Sequence, residues 1–122
     1  MPFLILAAGL AAGTALPSDW QTLYVVLQTR HTGGPELSAD ARALLDTLHV
    51  QYAQKLRAEG QAVAGGLLDG GAREPSSLLV LCAESAEAAA ALANGDPKVQ
   101  FGQVTTEVRE WRVPAGTIGC PE

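Results

Sequence analysis

A long apolar stripe between Ser38 and Gly60 constrains the fold of this 122-residue chain more than any other feature. Six apolar residues recur there at the spacing of an amphipathic helix: Ala41, Leu44, Leu45, Leu48, Tyr52 and Leu56. Ser38 suits a helix N-cap, Asp40 puts a negative charge in the first turn, and Gly60 suits the position just after the last turn. The sequence therefore predicts a helix over residues 39–59.

Four strand-type segments and a second helix surround that stripe. The strand segments are rich in β-branched or other apolar residues and cover residues 23–27, 61–68, 77–83 and 103–113. Ser85 caps a predicted alanine-rich helix over residues 86–93, which Asp96 and Pro97 end. The order is βαββαβ, the split-βαβ arrangement. It predicts an α+β fold with a four-stranded antiparallel sheet and two helices on one face.

Composition and charge are those of one globular domain, which we assign to residues 19–113. The chain is 48% hydrophobic and 17% charged, and its net charge is −5. Its eight lysines and arginines are scattered, whereas nucleic acid binding needs a basic stripe and an anionic membrane attracts a basic run. We therefore expect no nucleic acid partner. The Gly- and Pro-rich residues 114–122 predict a flexible C-terminal tail.

Residues 3–16 form an uncharged apolar run that is shorter than the roughly 20 residues of a membrane-spanning helix. Small residues at Gly13 and Ala15 match the positions that a signal peptidase reads, although no Lys or Arg stands near Met1. We expect residues 1–18 to be a signal peptide cleaved near Ala15, or else a flexible N-terminal segment. The mature protein would be periplasmic or secreted, with no membrane segment; without cleavage it would be cytoplasmic.

No motif for a metal or cofactor is present. Cys82 and Cys120 allow at most one disulfide, and His31 and His49 are far apart with no third ligand nearby. Phosphate-binding and dinucleotide-binding glycine motifs are also absent. The sequence therefore predicts no cofactor and no metal. A disulfide between the two cysteines is a weak candidate, because Cys120 lies in the predicted loose tail and the bond forms only within a narrow range of distances and angles.

Two spaced segments resemble the YCII-like family. In one, residues 48–52 place His49 on the long helix, which ends at Gly60 and leads into a small-residue strand. In the other, Asn94-Gly95-Asp96-Pro97 precedes the last strand. The resemblance covers about residues 22–113. It implies a ferredoxin-like fold whose subunits pair their sheets as a dimeric α+β barrel, and it implies His49 and Asp96 as a catalytic pair.

The positions of the two residues leave a structural interpretation open for each. His49 lies on the flank of the apolar stripe, where partial burial and a carboxylate neighbour suit an imidazole for proton transfer. It can equally bond a backbone carbonyl. Asp96 orients the histidine if the resemblance holds, or only orders the turn. Lys98 departs from the family, which often has an apolar residue after Asp-Pro, and this leaves the substrate class open.

Three further polar residues are candidates for substrate binding. Arg30 and His31 follow the first predicted strand, and loops after strands often line sites. Ser77 opens the third strand, where the resembled family often has Gly-Ser. The alternatives are an exposed loop for His31 and a turn cap for Ser77.

The expected function follows from the resemblance. We expect a homodimer, since the helices cover only one face of the sheet. The resemblance implies a cofactor-free enzyme that transfers a proton on a small organic molecule, as an isomerase or a lyase. The alternative is a non-catalytic dimeric module that binds a small ligand or is purely structural. The fold alone does not decide between them, because function depends on the site.

Overall fold

A computed structural model describes residues 19–121. The predicted signal peptide, residues 1–18, lies outside the described residues. The described elements are β1 (Trp20–Arg30), α1 (Ala39–Ala58), β2 (Ala62–Leu67), β3 (Pro75–Leu81), α2 (Ala86–Asn94), α3 (Pro97–Gln100) and β4 (Val104–Pro114). This order confirms the predicted βαββαβ arrangement and adds the single-turn α3. Within residues 19–121, no helix has both the length and the apolar character needed to cross a bilayer.

The four strands form one antiparallel sheet in the order β2-β3-β1-β4, which confirms the ferredoxin-like fold. β1 lies inside the sheet, and its Val26 faces Leu79 of β3 on one side and Val108 of β4 on the other. β1 is longer than the apolar run that predicts it, because its pairing with β4 extends from Trp20 to Arg30. Backbone pairing, and not side-chain hydrophobicity, sets its ends.

Alternation along the strands gives the sheet a helix face and an outer face. The helix face holds the main core: Tyr24, Val26, Leu56, Ala62, Leu81, Ala89 and Ala93. Ala89 and Ala93 of α2 are buried, and their small side chains allow that helix to approach the sheet closely. Full burial of one leucine side chain such as Leu56 stabilises the fold by about 1.5–3 kcal/mol.

The C-terminal tail lies against the outer face. Cys120 forms a disulfide with Cys82, just after β3, with the two Cα atoms 5.8 Å apart. Ile118 packs with Leu23, Val80 and Val113 of the outer face. The sequence predicts a loose tail and a weak disulfide candidate, whereas the structure has the bond. The tail reaches Cys82 because it returns across the sheet end, where Ala115 N–H donates to the Asp19 carbonyl.

Candidate active site

α1 carries His49 to the edge of the interface between helix and sheet. Ser38 caps α1 as predicted, since its Oγ accepts the Ala41 N–H at 3.1 Å. Gly60 follows the helix with a φ of 75°, a left-handed conformation that favours glycine. Between these ends the helix buries Leu45 and Leu56. His49, on the flank of that stripe, keeps about a quarter of its side chain exposed.

Asp96 approaches His49 from the turn between α2 and α3. It is the N-cap of α3, and its Oδ1 accepts the Lys98 N–H at 2.9 Å. Gly95 is needed beside it, because a Cβ there would collide with the hydroxyl of Tyr52. That hydroxyl donates to the Leu92 carbonyl at 2.6 Å and ties α1 to the end of α2. Asp96 therefore does order the turn, as its position after a helix predicts. It uses only Oδ1 for this, so Oδ2 is available to other partners.

Four side chains form one chain of hydrogen bonds around Oδ2 of Asp96. Nδ1 of His49 lies 2.7 Å from this oxygen, and Gln28 donates to it through Nε2, also at 2.7 Å. Ser77 in turn donates through Oγ to Oε1 of Gln28 at 3.3 Å. An ionised carboxylate can only accept, so the His49 proton belongs on Nδ1 and Nε2 of the neutral ring is left as an acceptor.

The electrostatics of Asp96 keep its carboxylate charged although it is only 5% exposed. Burial by itself raises the pKa of Asp96. The hydrogen bonds from His49, Gln28 and the Lys98 backbone lower the pKa by more than burial raises it, so the pKa of Asp96 lies below its ordinary value of 3.8. At neutral pH the carboxylate is therefore a permanent acceptor for the imidazole.

Lys98, the residue that departs from the resembled family, pairs its charge with Asp46 and not with His49. Its Nζ lies 2.9 Å from Oδ1 of Asp46 on α1. The hydrogen bond and charge of Lys98 lower the pKa of Asp46. Tyr52 stays neutral as well, because burial and the negative charges of Asp96 and Glu59 raise the pKa of its hydroxyl.

A cavity of about 230 Å³ opens beside the pair. α1, α2, the Asp96 turn and strands β1 to β3 contribute to its lining, which includes Val26, Gln28, His49, Tyr52, Ala53, Arg57, Gly65, Leu67, Ser77, Leu79, Leu92 and Asp96. Cavities of about 150 Å³ accommodate a benzene ring. The space therefore suits a small organic molecule, with apolar walls for its body and a few polar groups to orient it.

The structure brings three of the five predicted site residues to this cavity. His49, Asp96 and Ser77 line it. Arg30 and His31 instead line a separate, open groove on the side of Lys98, and the His31 ring lies against the glycines of the following turn. The two residues therefore do not share the cavity of His49. Within residues 19–121 no group of three His, Cys, Asp or Glu side chains is arranged to hold a metal ion.

Gln28 is a site residue that the sequence did not predict. It is only 8% exposed, and it follows Tyr24 and Val26 at two-residue spacing on the helix face of β1. Side chains at alternating positions of β1 face the core, and Gln28 is a polar residue at one of these positions in an otherwise apolar series. That pattern in the sequence indicates a functional or structural hydrogen bond, since buried polar groups need partners.

The family model of the YCII-related domain matches residues 22–112, three quarters of the chain, including both His49 and Asp96. The chain belongs to this family. No curated protein matches the YCII-related chain. Among solved structures it is similar to 5-chloro-2-hydroxyhydroquinone dehydrochlorinase (TftG) from Burkholderia phenoliruptrix, in complex with 2,5-dihydroxybenzoquinone. The TM-score is 0.55 and the identity 23%, over 73% of this chain and 92% of that chain. At this identity the similarity shows a shared fold.

Proposed function

We propose that this YCII-related domain is a cofactor-free enzyme that transfers a proton on a small organic molecule, as an isomerase or a lyase. The observation that carries the proposal is the 2.7 Å contact of His49 Nδ1 with the buried carboxylate of Asp96, beside a cavity of ligand size. Asp96 holds the ring in one orientation and one tautomer. Nε2 then serves as the base, since neutral histidine accepts protons near neutral pH.

The reaction begins when Nε2 of His49 takes a proton from an acidic carbon of the substrate, and the electrons of the C–H bond stay on the substrate. The resulting imidazolium is stabilised by Asp96, which remains ionised. In an isomerisation the imidazolium returns its proton to a different atom. In an elimination the electron pair forms a double bond and the leaving group departs with its own pair. General base catalysis of this kind contributes roughly 10²–10⁴-fold in rate.

The structural neighbour supports the elimination branch. Its name describes a dehydrochlorinase, which removes a proton and a chloride from a hydroxylated ring. A reaction of this class needs a base beside a cavity and no redox cofactor. We carry over the reaction class and the small ring compound as substrate, and no individual residue of the neighbour.

A matched pair of histidine variants tests the proposal. We expect turnover to fall at least about a hundredfold in His49→Ala, with an unchanged circular dichroism spectrum, because the base is lost. The assay measures chloride release from 5-chloro-2-hydroxyhydroquinone and deuterium uptake at carbon in a panel of hydroxylated ring compounds. His31→Ala, in the separate groove, should keep full activity. Equal rates for His49→Ala and wild type would contradict the proposal.

The rival function is a non-catalytic module that binds a small ligand. The cavity by itself suffices for binding, whereas catalysis also needs the Asp96-oriented base. Binding of ring compounds without turnover of any of them would favour the module. In that case the hydrogen bond between His49 and Asp96 would have a structural role only.

The homodimer is proposed on the outer face of the sheet. The tail covers Leu23, Val80 and Val113 there. Val25, Leu27 and Leu78 of the same face are only half-buried, and Trp111, which pairs with Leu23, is 41% exposed. An apolar patch of this kind on a sheet normally marks an interface.

Export is proposed on two observations. The apolar run at residues 3–16 has the composition of a signal peptide, and the Cys82–Cys120 disulfide is a bond typical of oxidising compartments. Mass spectrometry of the protein from its own host is expected to show an N-terminus near residue 16. An intact Met1 on protein with reduced cysteines would contradict export.

A further inference from the structure

We infer that Arg57 is the anion-binding residue of the cavity, and that the ligand is a small ring compound bearing a delocalised oxyanion, such as a carboxylate or a phenolate. The inference names the substrate class of the proposed function and rests on it for the chemistry that follows binding. The anion site itself stands on the position and the charge of Arg57.

Arg57 lies on the same side of α1 as His49. The two residues are eight positions apart, which corresponds to about two turns and about 12 Å along the helix axis. Both line the cavity, and Ala53, halfway between them, also lines it. Ala53 contributes only a methyl group to the lining between the two polar side chains. The cavity they share, about 230 Å³, is large enough for a single aromatic ring.

The charge of Arg57 is not used within the described part of the chain. Lys98, Arg109 and Arg112 each lie within 4.0 Å of a carboxylate. No carboxylate of residues 19–121 is that close to Arg57, which is exposed, and the same holds for four other lysines and arginines of this range. Arg57 differs from those four in its position, because it is the only lysine or arginine among the described residues that line the cavity. Its N–H donors remain available to a ligand. Their planar arrangement can bind both oxygens of a carboxylate, and a single N–H can donate to the one oxygen of a phenolate.

The two ends of the cavity therefore have opposite roles. The Asp96–His49 end takes a proton, and the Arg57 end attracts negative charge. When a base removes a proton from a ring carbon, the charge spreads onto ring oxygens, and a cation beside them stabilises it. The apolar walls, which include Val26, Leu79 and Leu92, contact the ring between these ends. An anionic ring compound can present a proton to His49 and its negative charge to Arg57. A neutral compound leaves Arg57 without a charged partner.

Arg57 also stands in the last turn of α1, where any cation favours the helix dipole. That structural role predicts a small loss of stability on substitution and no change in ligand selectivity. The test must therefore measure selectivity between an anionic and a neutral ligand of the same shape.

Benzoate and benzamide provide that comparison, and calorimetry or NMR shift titration gives their Kd values. We expect wild-type protein to bind benzoate more tightly than benzamide. Arg57→Gln should weaken benzoate binding roughly tenfold, the effect of one charge-assisted hydrogen bond, and leave benzamide unchanged. Arg57→Lys should recover part of the loss. Arg73→Gln, which removes an exposed arginine outside the cavity lining, is the matched control and should bind benzoate as wild type does.

Equal affinity of wild type for the two ligands, no benzoate binding at millimolar concentration, or unchanged benzoate binding in Arg57→Gln would overturn the inference. His49→Ala separates this inference from the proposed function, because it should retain the benzoate selectivity while losing turnover. If selectivity depends on Arg57 and His49→Ala still turns over, the anion site stands and the catalytic proposal fails. If His49→Ala is inactive and Arg57→Gln binds benzoate normally, only the anion site fails.

Discussion

The imidazole of His49 and the carboxylate of Asp96 meet at 2.7 Å although 47 positions separate them in the sequence. His49 comes from the middle of α1, and Asp96 comes from the cap of α3. Gln28 of β1 also donates a hydrogen bond to Asp96. The carboxylate is therefore held by α1, by β1 and by its own position as the cap of α3. This convergence joins a turn-forming residue, a helix residue and a strand residue into one site.

Acid should destabilise the protein through Asp96. Its pKa is lowered in the fold, so below its ordinary value of 3.8 the unfolded chain binds the proton first. The free energy of unfolding therefore falls as the pH drops from about 3.8 toward the lower pKa of the folded state. Urea unfolding between pH 5 and pH 2.5 should show a shallower decline in Asp96→Asn. Asp46→Asn is the control, because the exposed Asp46 is screened by solvent and should change the decline little.

Gly95→Ala should destabilise the fold by about 1–3 kcal/mol, since the added Cβ collides with the Tyr52 hydroxyl and forces local repacking. Chemical denaturation measures the loss. Gly66→Ala is the matched control, because a Cβ at Gly66 meets no atom within 4 Å. In the double variant with Tyr52→Leu, the Gly95→Ala cost should shrink. Equal effects of the two glycine substitutions would show that Gly95 tolerates a side chain.

Reduction of the disulfide should lower stability by about 2–4 kcal/mol, the range typical of closed loops of this size. Cys82 and Cys120 are 38 positions apart in the sequence. Thermal unfolding with and without reductant measures the change in wild type. A double Cys→Ser variant should start at the reduced value and show no response to reductant. A wild-type Tm that does not respond would contradict a stabilising role for the tail.

Light scattering at micromolar concentration should give the mass of two chains. Leu27→Asp, on the half-buried outer face, should produce monomers because it puts a charge into the interface. Leu44→Asp is the control: Leu44 is 60% exposed on α1, away from the outer face, and its substitution should leave the dimer intact. A wild-type monomer, or equal effects of the two variants, would place the outer face in solvent.

The fold could be predicted from the sequence because its signals are local. The apolar stripe with Ser38 and Gly60 at its ends fixed the predicted limits of α1 to within one residue, and the order of periodic segments predicted the sheet. The closeness of His49 and Asp96 depends on how separate elements pack, and only the family resemblance indicated it. Gln28 and Arg57 were missed, because their relation to the cavity depends on strand register and on the helix face that meets the sheet.

The most direct test of the central claim is the tautomer of the His49 ring, measured by long-range ¹H–¹⁵N NMR at a pH where the ring is neutral. We expect a proton on Nδ1 and an unprotonated Nε2 in wild type, because the Asp96 carboxylate only accepts. In Asp96→Asn the side-chain carbonyl should still accept the Lys98 N–H, which turns the amide N–H₂ toward His49 Nδ1 and toward Gln28. The Gln28 amide should then turn over to accept, and the His49 proton should move to Nε2. A wild-type ring protonated on Nε2, or the same tautomer in both proteins, would contradict the account.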